Sequence, residues 1–214
     1  MRYIITTAIA MVAASVANAG PTLGGPMSHL LVTVFDNQVY LSFESPAMST
    51  VTMQDAGDDF TGPASVLNNS GYNAQFGWLA NGFIALPPDT GIFVRTVAAS
   101  PHINIYEEAS FTAILGTGSA DPVWQWDGTM AHNWYATEVR GPHRVRHEVF
   151  VGDLSGNPLD TYTSATIDLA FEYNPDLSGR IGVIGSSTVG VIPAPATLTT
   201  FGVVFAIATG RRRR

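Results

Sequence analysis

The sequence predicts an all-β protein: a jelly-roll-like β-sandwich flanked by an N-terminal signal helix and a C-terminal transmembrane helix. Three observations lead there. Short runs alternate apolar and polar residues with period two, most cleanly over residues 144–151 and 166–173. Glycine and proline punctuate the runs at intervals suited to turns. No amphipathic 3.6-residue period is visible between the two ends of the chain. The boundaries are 1–19 for the signal segment, 20–28 for a linker and 29–184 for the sandwich. A Gly/Ser spacer, 185–191, precedes the terminal segment 192–214, with its membrane helix over 195–210.

The elements follow in order. Arg2 gives the N-terminus a positive charge, and residues 3–16 are apolar or small. Ala17-Asn18-Ala19 then offers a small-x-small cleavage pattern that would leave Gly20 as the new N-terminus. After a Gly/Pro-rich stretch, residues 30–35 are apolar on both faces, as in a buried strand. Asp36-Asn37 suits a two-residue hairpin turn. Val39, Leu41 and Phe43 then alternate with Tyr40, Ser42 and Glu44, which completes a β-hairpin.

Residues 50–54 form a further short strand, followed by an acidic turn. Residues 76–86 are aromatic and apolar, closed by Pro87-Pro88. Residues 92–98 are β-branched and read as a strand, and 111–115 as another, ended by Gly116-Thr117-Gly118. Val123 and Trp126 bound an aromatic strand. In 144–151, Val145, His147, Val149 and Val151 share the inward face, and Arg144, Arg146, Glu148 and Phe150 the other. In 166–173, Ile167, Leu169, Phe171 and Tyr173 point inward. Residues 174–179 turn, and 180–184 read as a last strand.

Charge is divided unevenly. The stretch between Gly20 and Pro193 carries five arginines and all seventeen acidic residues, a net charge of −12, and there is no lysine. Such a surface repels nucleic acid and anionic lipid. The absence of cysteine excludes disulfides, thiolate metal sites and a cysteine nucleophile. There is no Gly-x-Ser-x-Gly, His-Glu-x-x-His or phosphate-binding loop. Glu107 and Glu108 are adjacent, so in a strand they point to opposite faces and do not flank one bond. The expectation is a protein that is not an enzyme and holds no obligatory cofactor.

Three groups of residues are candidates for binding. Trp124, Trp126, Trp134 and Tyr135 could stack on the apolar faces of sugar rings. Asp55, Asp58 and Asp59 place oxygens densely enough in one turn for Ca²⁺. Of the histidines, His147 falls on an inward strand face and reads as a buried neutral imidazole. His29 opens the first strand and His132 sits in the aromatic block.

The C-terminal segment has three parts: Pro193-Ala194-Pro195, an uncharged run over 196–210, and Arg211, Arg212, Arg213 and Arg214. Fifteen helical residues span roughly 22 Å, short of a hydrocarbon core of about 30 Å. Snorkelling arginine stems extend that reach, and the charges stay cytoplasmic. This order resembles the PEP-CTERM sorting signal of Gram-negative bacteria, with Ala194 in place of the usual Glu, a variant similar to planctomycete sequences. The resemblance implies export through the Sec translocon, cleavage by signal peptidase, and removal of the membrane helix by an exosortase. Delivery would be to the cell surface or extracellular matrix, with polysaccharide as a partner there. More loosely, Met130-Ala131-His132-Asn133-Trp134-Tyr135, Gly141 and the strand after it resemble bacterial surface-anchored β-domains, some linked to zinc supply. That resemblance implies His29 and His132 as the first Zn²⁺ ligands.

Overall fold

The structure is a computed structural model and describes residues 20–44, 50–55 and 59–178. The signal segment, Asp58, the strand expected over 180–184, the spacer and the sorting tail lie outside the described residues. Within them, eleven strands and one helical turn follow in order. They are β1 (Ser28–Phe35), β2 (Gln38–Phe43), β3 (Val51–Met53), β4 (Gly71–Asn73), β5 (Phe76–Ala80), β6 (Thr90–Ala99), β7 (Asn104–Tyr106), β8 (Val123–Trp126), β9 (Trp134–Thr137), β10 (Gly141–Asp153), β11 (Ala165–Tyr173) and α1 (Pro175–Ser178). A 3-10 turn, Gly62–Leu67, lies between β3 and β4. No helix among the described residues is long and apolar enough to cross a membrane.

The strands form three sheets, ordered β2-β1-β5, β3-β11-β10-β6-β8 and β4-β9-β7. The chain is all-β, as its periodicity predicts. The hairpin β1–β2 turns at Asp36 and Asn37, both with positive φ (49° and 56°), the backbone that a two-residue turn needs to match strand twist. A jelly roll is antiparallel throughout, whereas here the β1–β5 and β11–β3 pairings are parallel. Each parallel pair is joined by a long excursion through other elements, because two parallel strands cannot be linked by a tight turn.

The first two sheets share one core. Leu30, Val32, Phe76 and Trp78 on one side meet Val94, Val145, Val149, Leu169 and Phe171 on the other, all with at most 1% exposure. The inward faces assigned from alternation in β10 and β11 are the buried ones. Phe150, on the outer face, is also buried, because Phe93 stacks on it (5.7 Å, 20°) and the Arg95 guanidinium lies 5.2 Å from its ring centre. The third sheet covers a second core of Phe60, Leu67, Tyr72, Ala74, Trp134 and Ala136. Its strands are three or four residues long, too short to leave a period in the sequence.

Residues 111–115 do not form the expected strand. Phe111 and Leu115 both have positive φ (56° and 57°), which no extended strand permits. The segment turns instead, held by Thr117, whose hydroxyl donates to the carbonyls of Ile105 and Ile114. The turn stacks the Phe111 ring on Trp134 (5.5 Å, 18°). Covering a tryptophan outweighs the β-propensity of five residues.

Phe171 lies at the centre of the shared core, edge-on to Phe76 (5.6 Å) and tilted against Tyr135 (4.8 Å). Phe171→Ala is expected to lower unfolding stability by about 3–5 kcal/mol, read from the urea midpoint at constant m-value.

Candidate functional site

The four aromatic candidates for sugar stacking do not form a platform. Trp126, Trp134 and Tyr135 are buried, and Trp124 is partly buried against the core. The Trp126 indole N–H donates to the Thr129 carbonyl (2.6 Å) and that of Trp134 to the Glu108 carbonyl (3.0 Å). A flat polar-edged ring serves equally well as a core plate once its N–H finds a carbonyl, and that is its use here. In the acidic turn, Asp55 accepts a hydrogen bond from the Tyr173 hydroxyl (3.1 Å), and Asp59 also has partners. Burial, together with Asp55, pushes the Tyr173 phenol up to about 12. No three His, Asp or Glu side chains among the described residues converge on one point.

Most carboxylates near the folded surface hold structure. Glu107 accepts from the amides of Ala109 and Ser110, closing a turn. Glu148 is bonded by Arg95 (2.6 Å) and Ser164 (2.6 Å). Burial would raise its pKa, but these bonds outweigh burial and hold it below the usual carboxylate range. Asp168 takes a two-pronged bond from Arg146 (2.8 Å each), and Asp153 binds the Asn157 amide and two backbone N–H groups. None of these groups is left free as a general acid or base.

Three of the five histidines fall into two settings. His147 is wholly buried between the sheets. Tyr135 donates its hydroxyl proton to Nε2 (2.9 Å), while Nδ1 lies 3.3 Å from the Thr96 hydroxyl. A register shift between Arg146 and His147 pairs His147 with Thr96 rather than Val97 and brings that hydroxyl into range. Desolvation is the dominant influence: it drives the His147 pKa down to about 3 and raises that of Tyr135. The imidazole is therefore neutral, as its place on an apolar face suggests.

His29 and His132 are brought together. The hairpin register continues past Leu30 opposite Phe43, and the Glu44 amide donates to the His29 carbonyl (3.0 Å). His29 is paired on its other side with Gly77 of β5. A bridge between Trp78 and Ala131 then sets His132 beside Gly77. Glu44, His29, Gly77 and His132 thus form one row across the sheet. Glycine leaves a gap in that row, and the His132 ring fills it. A Cβ on Gly77 would lie 2.4, 2.5 and 2.8 Å from Nε2, Cε1 and Cδ2, nearly equal distances that place the ring face-on over the glycine. The two imidazole centres are 5.6 Å apart at 66°.

Each ring is fixed through Nδ1, to Glu44 Oε2 for His29 (2.5 Å) and to the Ala74 carbonyl for His132 (2.8 Å). The His132 amide also donates to Glu108 (2.7 Å). Both Nε2 atoms are buried without a partner. Sequence reasoning did not find Glu44, Gly77 or Glu108 here. The turn at Asp36-Asn37 carried a usable signal for Glu44, since counting back along the hairpin puts it opposite His29. Nothing in the sequence signals the pairing of β1 with β5, which depends on a parallel contact forty-eight positions apart.

The His147 setting makes stability depend on pH. The unfolded chain takes up a proton near pH 6.5, whereas the folded chain does not until about pH 3. Stability contributed by the neutral ring is full above pH 6.5 and is lost as pH falls toward 3, with a slope approaching about 1.4 kcal/mol per pH unit. Urea midpoints measured from pH 7 to pH 4.5 should fall for the parent and fall less steeply for His147→Gln. Compared with family models, with curated proteins and with solved structures, the chain matches none.

Proposed function

We propose that this is an exported, non-enzymatic protein whose β-sandwich is displayed at the cell surface or in the extracellular matrix. The observation that carries the reading is the pairing of two export features on one chain. A cleavable leader ends at Ala17-Asn18-Ala19, and a tripartite tail runs from Pro193-Ala194-Pro195 to Arg211–Arg214. Between them the net charge of −12 favours solubility and keeps the domain off anionic membranes and nucleic acid. The commitment of Glu107, Glu148, Asp153 and Asp168 to turns and ion pairs supports a role in presenting a surface rather than in catalysis.

On this reading the partners act in sequence. The Sec translocon and signal peptidase deliver the chain across the inner membrane, the apolar run over 195–210 holds it there, and an exosortase releases it. At the surface the sandwich meets extracellular polysaccharide. Intact mass of the protein from its host, taken by cell fraction, tests the proposal. The expected species begins at Gly20, ends near residues 193–195, and is found at the surface or in the matrix. A chain still carrying Arg211–Arg214 in the inner membrane would replace the sorted protein with a tethered one. A full-length chain with Met1 in the cytoplasm would reject export.

A further inference from the structure

We infer that the His29–His132 ring pair is a binding site for a divalent cation of the zinc and copper class, held by the two Nε2 atoms. The argument starts from the tautomers. A carboxylate and a carbonyl can only accept, so Nδ1 carries the proton in both rings: His29 donates to Glu44 and His132 to Ala74. In that tautomer the second nitrogen, Nε2, of each ring offers a lone pair. Both of these nitrogens are buried and neither has a hydrogen-bond partner. Two such nitrogens side by side can be satisfied together by one cation.

Several features favour a metal ion. Metal-bound imidazoles characteristically donate their second nitrogen to a carboxylate or a backbone carbonyl, and the pair shows one of each. Spacing agrees as well. With Zn–N bonds of about 2.0–2.1 Å, two imidazoles on one ion have ring centres about 5.2 Å apart at the tetrahedral angle and about 6.4 Å apart when opposed. The observed 5.6 Å lies between these limits. Imidazole nitrogen selects zinc, copper and nickel over the calcium and magnesium that carboxylates prefer. Two protein nitrogens leave the coordination shell open to water, so the bound ion is exchangeable. An entry route lies on the β2 side, where the His29 and Glu44 side chains are 15% and 53% exposed. Gly77 is a positioning residue: any side chain there would displace the His132 ring.

The test is titration of the full chain, stripped with chelator and held in detergent, with Zn²⁺ alone. One saturable site per chain is expected, with at least tenfold weaker binding in His29→Asn and in His132→Asn. His102→Asn, at an exposed turn position, should bind like the parent. Electron paramagnetic resonance of the unmodified chain loaded with one Cu²⁺ should show two nitrogen donors, and this arm decides the matter if either variant fails to fold. Absence of a saturable Zn²⁺ site, parent-like affinity in either histidine variant, or a Cu²⁺ spectrum lacking two nitrogens would each overturn the inference. The lone pairs would then be satisfied by bound water.

Discussion

The contact on which the rest of this domain depends is the meeting of aromatic rings between the β2-β1-β5 sheet and the five-stranded sheet. Phe76 and Trp78 leave the inner face of β5. Phe171 meets the first edge-on, and His147 meets the second edge-on at 5.8 Å. Tyr135, from the third sheet, closes on both Phe171 and His147. All three sheets are therefore joined at one cluster. Such pairs add about 0.5–1.5 kcal/mol each beyond the area they bury. With no cysteine in the chain, packing of this kind holds the sheets together without a covalent link.

That cluster contains one polar thread, and its terms differ from those at the sheet face. Inside, the Tyr135 hydroxyl and the His147 imidazole satisfy each other, so burial fixes their protonation and orients both rings. A buried polar pair of this kind specifies one arrangement of the core, because any other leaves a donor and an acceptor unmatched. At the face, His29 and His132 have equally well-fixed rings but no mutual hydrogen bond. The first pair belongs to the architecture. The second has the rigidity of an architectural element without its internal satisfaction, which is the property expected of a site built for something outside the chain.

Both settings owe their form to small backbone events. The register shift in β10 aligns His147 with Thr96. The missing side chain at Gly77 admits the His132 ring beside His29. A change of one carbon atom at Gly77 would separate the imidazoles while leaving the apolar pattern of β5 intact. The functional candidate is thus more sensitive to local detail than the all-β fold that carries it.

Composition and periodicity determined the all-β class, the β1–β2 hairpin, the inward faces of β10 and β11, and the burial of His147, because each depends on neighbours within a few positions. The third sheet left no period, since its strands are too short. Residues 111–115 have strand composition, and the Thr117 hydrogen bonds and the contact with Trp134 made them a turn. The tryptophans were legible as one aromatic group, with core packing and sugar stacking both open, because burial is a property of the packed layers. His29 and His132 were legible as residue types, while their meeting was not. It required a parallel pairing and a bridge between segments about fifty positions apart. The tertiary structure alone decides such contacts, since loop closure links distant segments through packing energy and leaves no local trace in the sequence.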